Sequence, residues 1–332
     1  MKTFLCSLIA IFFFCLSANS QENNLNFEHF GNNSTFVQSP VSSLIQSKKG
    51  FIWLGTMNGL VRFDGYEFIR YSRSKNVEGS LSNNHINTIF EDSDETIWIG
   101  TENGVNFLDT NTNSFVPVDI QPIKGGRNYI SSIIEDKAKN IWIGTFGGLK
   151  LLDRTTHLLL DLPAKEGAEN LNNSRVLSLF LDDHNIMWLG TAGGLKMFDP
   201  VTKQPLPLPE EITINEQLVS AKVWKVAKDH EGNLWFATET RGVFKYNISK
   251  KSVKQFQHNS KDDNSLAANW VNDILLIDEN TLWFATNDGL SVLKNGSENF
   301  TNYFHNPLNG SSISDNAIKT LLKDNHGSIW AG

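Results

Sequence analysis

The sequence predicts an all-β protein, a seven-bladed β-propeller of four-stranded antiparallel blades with the seventh blade truncated at the C-terminus. Three observations carry this. Seven of the nine tryptophans, Trp53, Trp98, Trp142, Trp188, Trp235, Trp283 and Trp330, recur every 44 to 48 residues, a period typical of repeat arrays. A block of one kind surrounds them: Ile52-Trp53-Leu54-Gly55-Thr56, Ile97-Trp98-Ile99-Gly100-Thr101, Ile141-Trp142-Ile143-Gly144-Thr145, Met187-Trp188-Leu189-Gly190-Thr191, Leu234-Trp235-Phe236-Ala237-Thr238 and Leu282-Trp283-Phe284-Ala285-Thr286. The apolar spacing is that of strands, and glycines punctuate it too often for a solenoid of helix pairs.

Each element of a blade has its own signal. Aliphatic pairs twelve and nine residues before the tryptophan mark a first strand: Val41/Leu44, Ile86/Ile89, Ile130/Ile133, Val176/Leu179, Val223/Val226, Val271/Ile274 and Ile318/Leu321. Turn-formers such as Asp92-Ser93-Asp94 and Asp229-His230-Glu231-Gly232-Asn233 follow, and then the tryptophan strand. Gly59, Gly104, Gly148, Gly194, Gly242 and Gly289 stand six or seven residues past the tryptophan, where a tight turn asks for positive φ. A third strand closes on Phe63-Asp64, Leu108-Asp109, Leu152-Asp153, Phe198-Asp199, Tyr246-Asn247 or Leu293-Lys294, and a fourth carries Phe68, Phe115, Leu159, Phe256 and Phe300. The tryptophans read as core residues, each taking about 150–250 Å² out of water. The Gly or Ala two residues later lets the next blade approach. The segment Leu25-Asn26-Phe27-Glu28-His29-Phe30 is expected to pair into the last blade and close the ring.

Residues 1–20 read as a secretion signal, with Lys2 as the charged start, an apolar run from Phe4 to Leu16, and Ala18-Asn19-Ser20 before cleavage at Gln21. That leaves 21–332 as the propeller domain. The apolar run is short for a membrane span, which needs roughly 20 residues. Both cysteines, Cys6 and Cys15, fall in the signal, so the mature chain has no thiol chemistry. With 29 Lys plus Arg against 36 Asp plus Glu and no dense basic run, a nucleic-acid partner has no electrostatic basis.

The repeat resembles that of the two-component regulator propeller family: an aliphatic pair, a turn with Asp and Gly, an Ile-Trp-Ile-Gly-Thr block, a Gly-Leu turn and a closing Phe-Asp. The first copy, from Lys49-Gly50-Phe51 through Phe63-Asp64-Gly65-Tyr66-Glu67-Phe68, is similar to the opening blade of the periplasmic sensor half of hybrid two-component systems, and Ser80-Leu81-Ser82-Asn83-Asn84 resembles their inter-blade loop. The resemblance implies a periplasmic sensor of oligosaccharides and an inner-membrane anchored full-length protein. It also implies further parts as partners in the same chain: a second propeller, a β-sandwich, a membrane helix and a histidine kinase. A homodimer is a further candidate. Ending at Ile329-Trp330-Ala331-Gly332, inside the seventh block, the sequence reads as a fragment of a longer product. Catalytic activity of this segment, a metal site and a cofactor are not expected.

Function in a ring of near-identical blades belongs to the loops at one mouth. If the first strand lines the axis, the residues entering it include His85, Tyr129, Arg175, Lys222 and Trp270, and the turn after the tryptophan strand offers Met57, Glu102, Phe146, Glu239, Arg241 and Asp288. Aromatic plates beside amides and charges suit sugar rings and hydroxyls. The candidate ligand-binding residues are Arg175, Trp224, Glu239, Arg241 and Trp270. Ten residues before the tryptophan most copies carry Ser or Thr, but blades five and six carry Lys225 and Asp273, which are placed to meet as a channel salt bridge or as ligand contacts. Two other classes stay open: a secreted propeller enzyme similar to the streptogramin lyases, which needs a His/Glu constellation at one mouth, and a protein-interaction platform.

Overall fold

The computed structural model describes residues 25–30, 39–118, 128–162, 171, 174–294 and 296–332. The expected signal segment, with Cys6 and Cys15, lies outside them. Six sheets of four strands each follow one another along the chain, and within each sheet every strand pairs antiparallel with the next in sequence. In the first blade the strands are Val41–Gln46, Ile52–Thr56, Gly59–Phe63 and Phe68–Tyr71, and the other five repeat this order. The first strand of each blade lies against the first strand of the next around the axis, and is called the inner strand below.

The expectation of seven blades is corrected. The seventh repeat forms a two-stranded piece, Leu321–Lys323 with Ile329–Ala331, because the residues from 321 on span only this hairpin while a full blade is spread over a stretch such as 41–71. Leu321–Lys323 touches the inner strands of both blade six and blade one, so the piece occupies the gap between them. The segment 25–30 is also corrected, because it adds no strand. Its alternating exposure is that of an extended chain, yet a single backbone bond and its side chains hold it rather than a ladder. Phe27 N donates to Ser311 O at 3.0 Å, His29 Nε2 lies 2.7 Å from Ser312 O, and Leu25 and Phe27 join the cluster of Trp283, Ile313, Ile318 and Leu321.

The core is a set of inter-blade layers. Trp98 packs with Ile130, Ile133 and Ile143 of the next blade, Trp142 with Val176 and Leu189, and Trp235 with Val271, Ile274 and Phe284. Close approach is permitted by the glycine two residues past the tryptophan: a Cβ on Gly144 would lie 2.7 Å from Val176 Cγ1. Each tryptophan also brings an indole N–H into the core. In four blades and in the two-stranded piece an aspartate six residues earlier accepts it: Asp92 from Trp98 (2.8 Å), Asp136 from Trp142 (2.8 Å), Asp182 from Trp188 (3.0 Å), Asp229 from Trp235 (2.9 Å) and Asp324 from Trp330 (2.9 Å). The same carboxylate closes the turn before the tryptophan strand, as when Asp136 Oδ1 accepts Ala138 N and Asn140 N. Blade one has Ser47 in that place, and the Trp53 Nε1 is buried without a partner. The closing aspartates of the third strands act as turn caps, as expected: Asp64 Oδ1 accepts Tyr66 N and Glu67 N, both at 2.9 Å.

One departure from strand-only reading precedes blade five. After Leu206 and two prolines the chain forms two one-turn helices, α1 (Glu210–Thr213) and α2 (Glu216–Val219), the second capped by the Asn215 side chain on Leu218 N. Ile212 and Leu218 are buried against Trp188 and Val223.

Two predictions follow from these contacts. Gly194 has φ +101°, and a Cβ there would stand 1.9 Å from Val219 O, whereas a Cβ on Gly193 would meet nothing within 4 Å. Gly194→Ala is expected to lower the thermal midpoint sharply, by the equivalent of about 1–3 kcal/mol or more, and Gly193→Ala to leave it nearly unchanged; equal midpoints for the two variants would disprove the turn argument. The second concerns acid. Burial pushes the Asp229 carboxyl upward, but the Asn233 amide, the Trp235 indole and the Lys245 charge outweigh it and hold it below the usual carboxylate range. The Trp330 indole and nearby backbone N–H groups outweigh burial in the same way at Asp324. A folded pKa below the unfolded one gives stability that is present above about pH 4 and lost as pH falls through the folded value. Stability measured by urea unfolding is expected to decline below about pH 4, and Asp229→Asn to flatten that decline; an unchanged slope in the variant refutes the assignment.

Candidate functional site

Blades two to six each deliver a pair of residues to one mouth of the channel by the same backbone bond. The amide four residues past the tryptophan donates to the carbonyl of the residue entering the inner strand: Glu102 to His85 (3.0 Å), Phe146 to Tyr129 (3.2 Å), Ala192 to Arg175 (3.0 Å), Glu239 to Lys222 (3.1 Å) and Asn287 to Trp270 (3.0 Å). Inner strands therefore set the rim, and the side chains at these positions vary where the core does not.

Going around it, His85 Nδ1 stands 3.4 Å from Glu102 Oε2. Tyr129 and Phe146 stack with centroids 4.0 Å apart, and the Arg175 guanidinium lies over Phe146 at 4.4 Å. Burial, with the Glu102 charge, pushes the Tyr129 hydroxyl above its ordinary pKa, so it stays a neutral donor. Lys222 Nζ pairs with Glu239 Oε1 at 2.8 Å and sits 4.8 Å from the centre of the Trp224 ring. Trp224 and Trp270, from blades five and six, lie nearly parallel, 14° apart with centroids at 6.5 Å. Lys319 Nζ lies 5.9 Å from the Trp270 ring and donates to Asn287 Oδ1 at 2.7 Å, an oxygen that also accepts from Asn272 Nδ2 at 2.9 Å.

Of the five candidate ligand residues, Arg175, Glu239, Trp224 and Trp270 lie in this sector, and the structure brings the two tryptophans together. Arg241 is engaged elsewhere: its guanidinium donates to Gln217 O and Ser220 Oγ beside α2. Lys319 and Asn287 were not legible as candidates, because Lys319 belongs to the seventh repeat and Asn287 stands out only once its register with Trp270 is known.

Lys225 and Asp273 do meet, at 2.8 Å. Asp273 has a second duty. Its Oδ2 accepts Leu321 N at 2.9 Å, as Ser43 Oγ accepts Ile89 N (3.1 Å) and Ser132 Oγ accepts Leu179 N (3.2 Å) in their blades. The carboxylate thus replaces a serine that tethers neighbouring inner strands. Asp273 is buried and Lys225 is 42% exposed, so the two ends of the pair are unequal. Asp273→Ala is expected to cost about 2–3 kcal/mol by stranding a buried N–H and an ammonium, and Lys225→Met less than about 1 kcal/mol; equal losses in denaturant titrations would contradict this.

Among the described residues no group of three or more His, Cys, Asp or Glu is placed to hold a metal ion, and no helix is long and apolar enough to cross a membrane. Three segments of the sequence, 80–103, 124–147 and 170–193, match the family model described as two component regulator propeller. A stretch of 76 residues is 34% identical to Histidine kinase P4 of Formosa agariphila, covering 23% of this chain and 6% of that protein. Among solved structures, the extracellular domain described as that of the hybrid two component system BT3049 from B. thetaiotaomicron is similar over 93% of this chain and 40% of its own, with TM-score 0.75 and 23% identity. A virginiamycin B lyase from Staphylococcus aureus is similar over 93% of this chain and 94% of its own, with TM-score 0.61 and 13% identity. At these identities the likeness is one of fold. The chain spans less than half the length of the two-component relatives it matches.

Proposed function

We propose that this chain, whose repeats are those of the two component regulator propeller family, is the ligand-sensing propeller of an extracytoplasmic two-component receptor. Its ligand is an oligosaccharide, bound at the mouth between blades four and six, and occupancy is passed to a histidine kinase through parts of the receptor outside this chain. Export by the segment 1–20, a periplasmic location and membrane anchoring belong to the same proposal.

The observation that carries the reading is the pair of near-parallel indoles, Trp224 and Trp270, at the mouth and flanked by Lys222, Glu239, Asn272, Asn287 and Lys319. Indole faces offer a flat apolar surface to the C–H face of a sugar, and the surrounding amides and charges answer its hydroxyls. Scattered rim residues would not give two such plates side by side. The lyase-like reading has one feature in its favour, the contact of His85 with Glu102 on blade two. That single pair lies on another sector from the indoles, and the sensor reading accounts for both the repeats and the aromatic pair.

The test is calorimetric binding of the purified chain to a panel of neutral and acidic oligosaccharides, followed by Trp270→Ala. Affinity for the best binder is expected to fall at least tenfold while the thermal midpoint moves little, since Trp270 is not part of the inter-blade core. Affinity unchanged within twofold in a folded variant would place the site elsewhere.

A further inference from the structure

The inner strands carry a bulge at the same place in each blade, and the bulged residue has a recurring task. Ser42 Oγ donates to Ile86 O, Asn87 Nδ2 to Ile130 O (3.0 Å), Ser131 Oγ to Val176 O (2.7 Å) and Asn272 Nδ2 to Ile318 O (2.7 Å), so each stitches its blade to the next. Three copies abandon the stitch. Leu177 and Trp224 stand at the equivalent positions of blades four and five, and Lys319 stands there in the seventh repeat.

Lys319 is the unusual member. An ammonium has three N–H donors; here one reaches the Asn287 amide oxygen, and the nearby Trp270 face supplies further, weaker attraction. The two other lysines beside the paired indoles are answered by carboxylates, Lys222 by Glu239 and Lys225 by Asp273. Among the described residues no carboxylate pairs with Lys319. Burial with no compensating charge pushes its pKa below the usual lysine value, which is the electrostatic cost of holding a cation there unanswered. Two more donors in the sector lack acceptors: the Nε1 atoms of Trp224 and Trp270 are both buried and unpartnered.

We propose that Lys319 is the counter-charge for an acidic group on the saccharide, a uronate carboxylate or a sulfate ester, held beside the Trp270 face. The inference rests on the mouth being the ligand site, and adds the chemical class of the ligand. An oxyanion beside Lys319 completes the ammonium with charge-assisted hydrogen bonds, which are short and strong in a half-buried setting. A neutral sugar has nothing equivalent to offer, so the site discriminates by charge as well as by ring shape.

The experiment titrates the purified chain with three probe sets of matched length: oligogalacturonates, sulfated galactan oligosaccharides, and neutral galacto- and xylo-oligosaccharides. An acidic set is expected to bind at least tenfold more tightly than the neutral ones. Which acidic set binds tells carboxylate from sulfate. Lys319→Gln is expected to remove that preference and Lys319→Arg to keep it, while Lys225→Met, a lysine already paired, changes affinity by less than twofold. Acidic probes that bind equally well to Lys319→Gln overturn the inference. Binding of neutral probes alone, lost in Trp270→Ala, overturns it while leaving the oligosaccharide sensor standing; binding of no probe at all overturns both.

Discussion

A tryptophan large enough to fill the space between two blades brings an N–H with it, and that donor has to be answered inside the sheet. The carboxylate six residues earlier does so, and with its remaining oxygen fastens the turn that delivers the tryptophan strand. One group therefore couples the local hairpin to the layer between blades. Because the acceptor is ionised, each such bond is worth about 1.5–3 kcal/mol. Everything at the mouth depends on this, since the inner strands that position the rim hang on the far side of the same hairpins. Blade one, with Ser47 and an unanswered Trp53 indole, shows that the ring tolerates a missing joint where neighbouring layers are complete.

Much of the fold was legible because each of these constraints leaves a residue behind. The tryptophan period, the glycine at positive φ after the tryptophan strand, and the glycine two residues past the tryptophan all correspond to what the structure contains. The aspartates were visible as turn-formers, but the bond from Asp136 to the Trp142 indole was not, because a turn signal does not say what the second carboxylate oxygen does. The number of blades was misjudged for a different reason. Trp330 announces a repeat as clearly as Trp53 does, yet a motif marks a strand and not a sheet, and here only two strands stand behind it. The helices before blade five were missed because four-residue turns after Pro207 and Pro209 carry no periodicity to detect.

The site was legible only in part. Trp224 stands where blades one, two, three and six have Ser42, Asn87, Ser131 and Asn272, and Trp270 was visible as one of the varied residues that enter an inner strand. The stacked Tyr129 and Phe146 with Arg175 above them could be placed on the rim but not brought into contact from sequence, because the stacking depends on side-chain orientation within blade three and the Arg175 contact on the angle between blades three and four. Arg241 illustrates the opposite error. A charge in a turn with one extra residue looked free, and the lengthened turn instead reaches the helical insert that precedes its own blade.

The stitched bulges give the ring an uneven stiffness. Blades one to three are each tied to the next by this side-chain bond across the inner strands, and blade six is tied to the two-stranded piece, whereas Leu177, Trp224 and Lys319 leave the joints from four to five, from five to six and from the two-stranded piece to blade one without it, the second of these keeping the Lys225–Asp273 pair. A ring under load yields first at its weakest joints. Two of the three unstitched joints fall in the arc from blade four to blade six, the arc that carries the paired indoles.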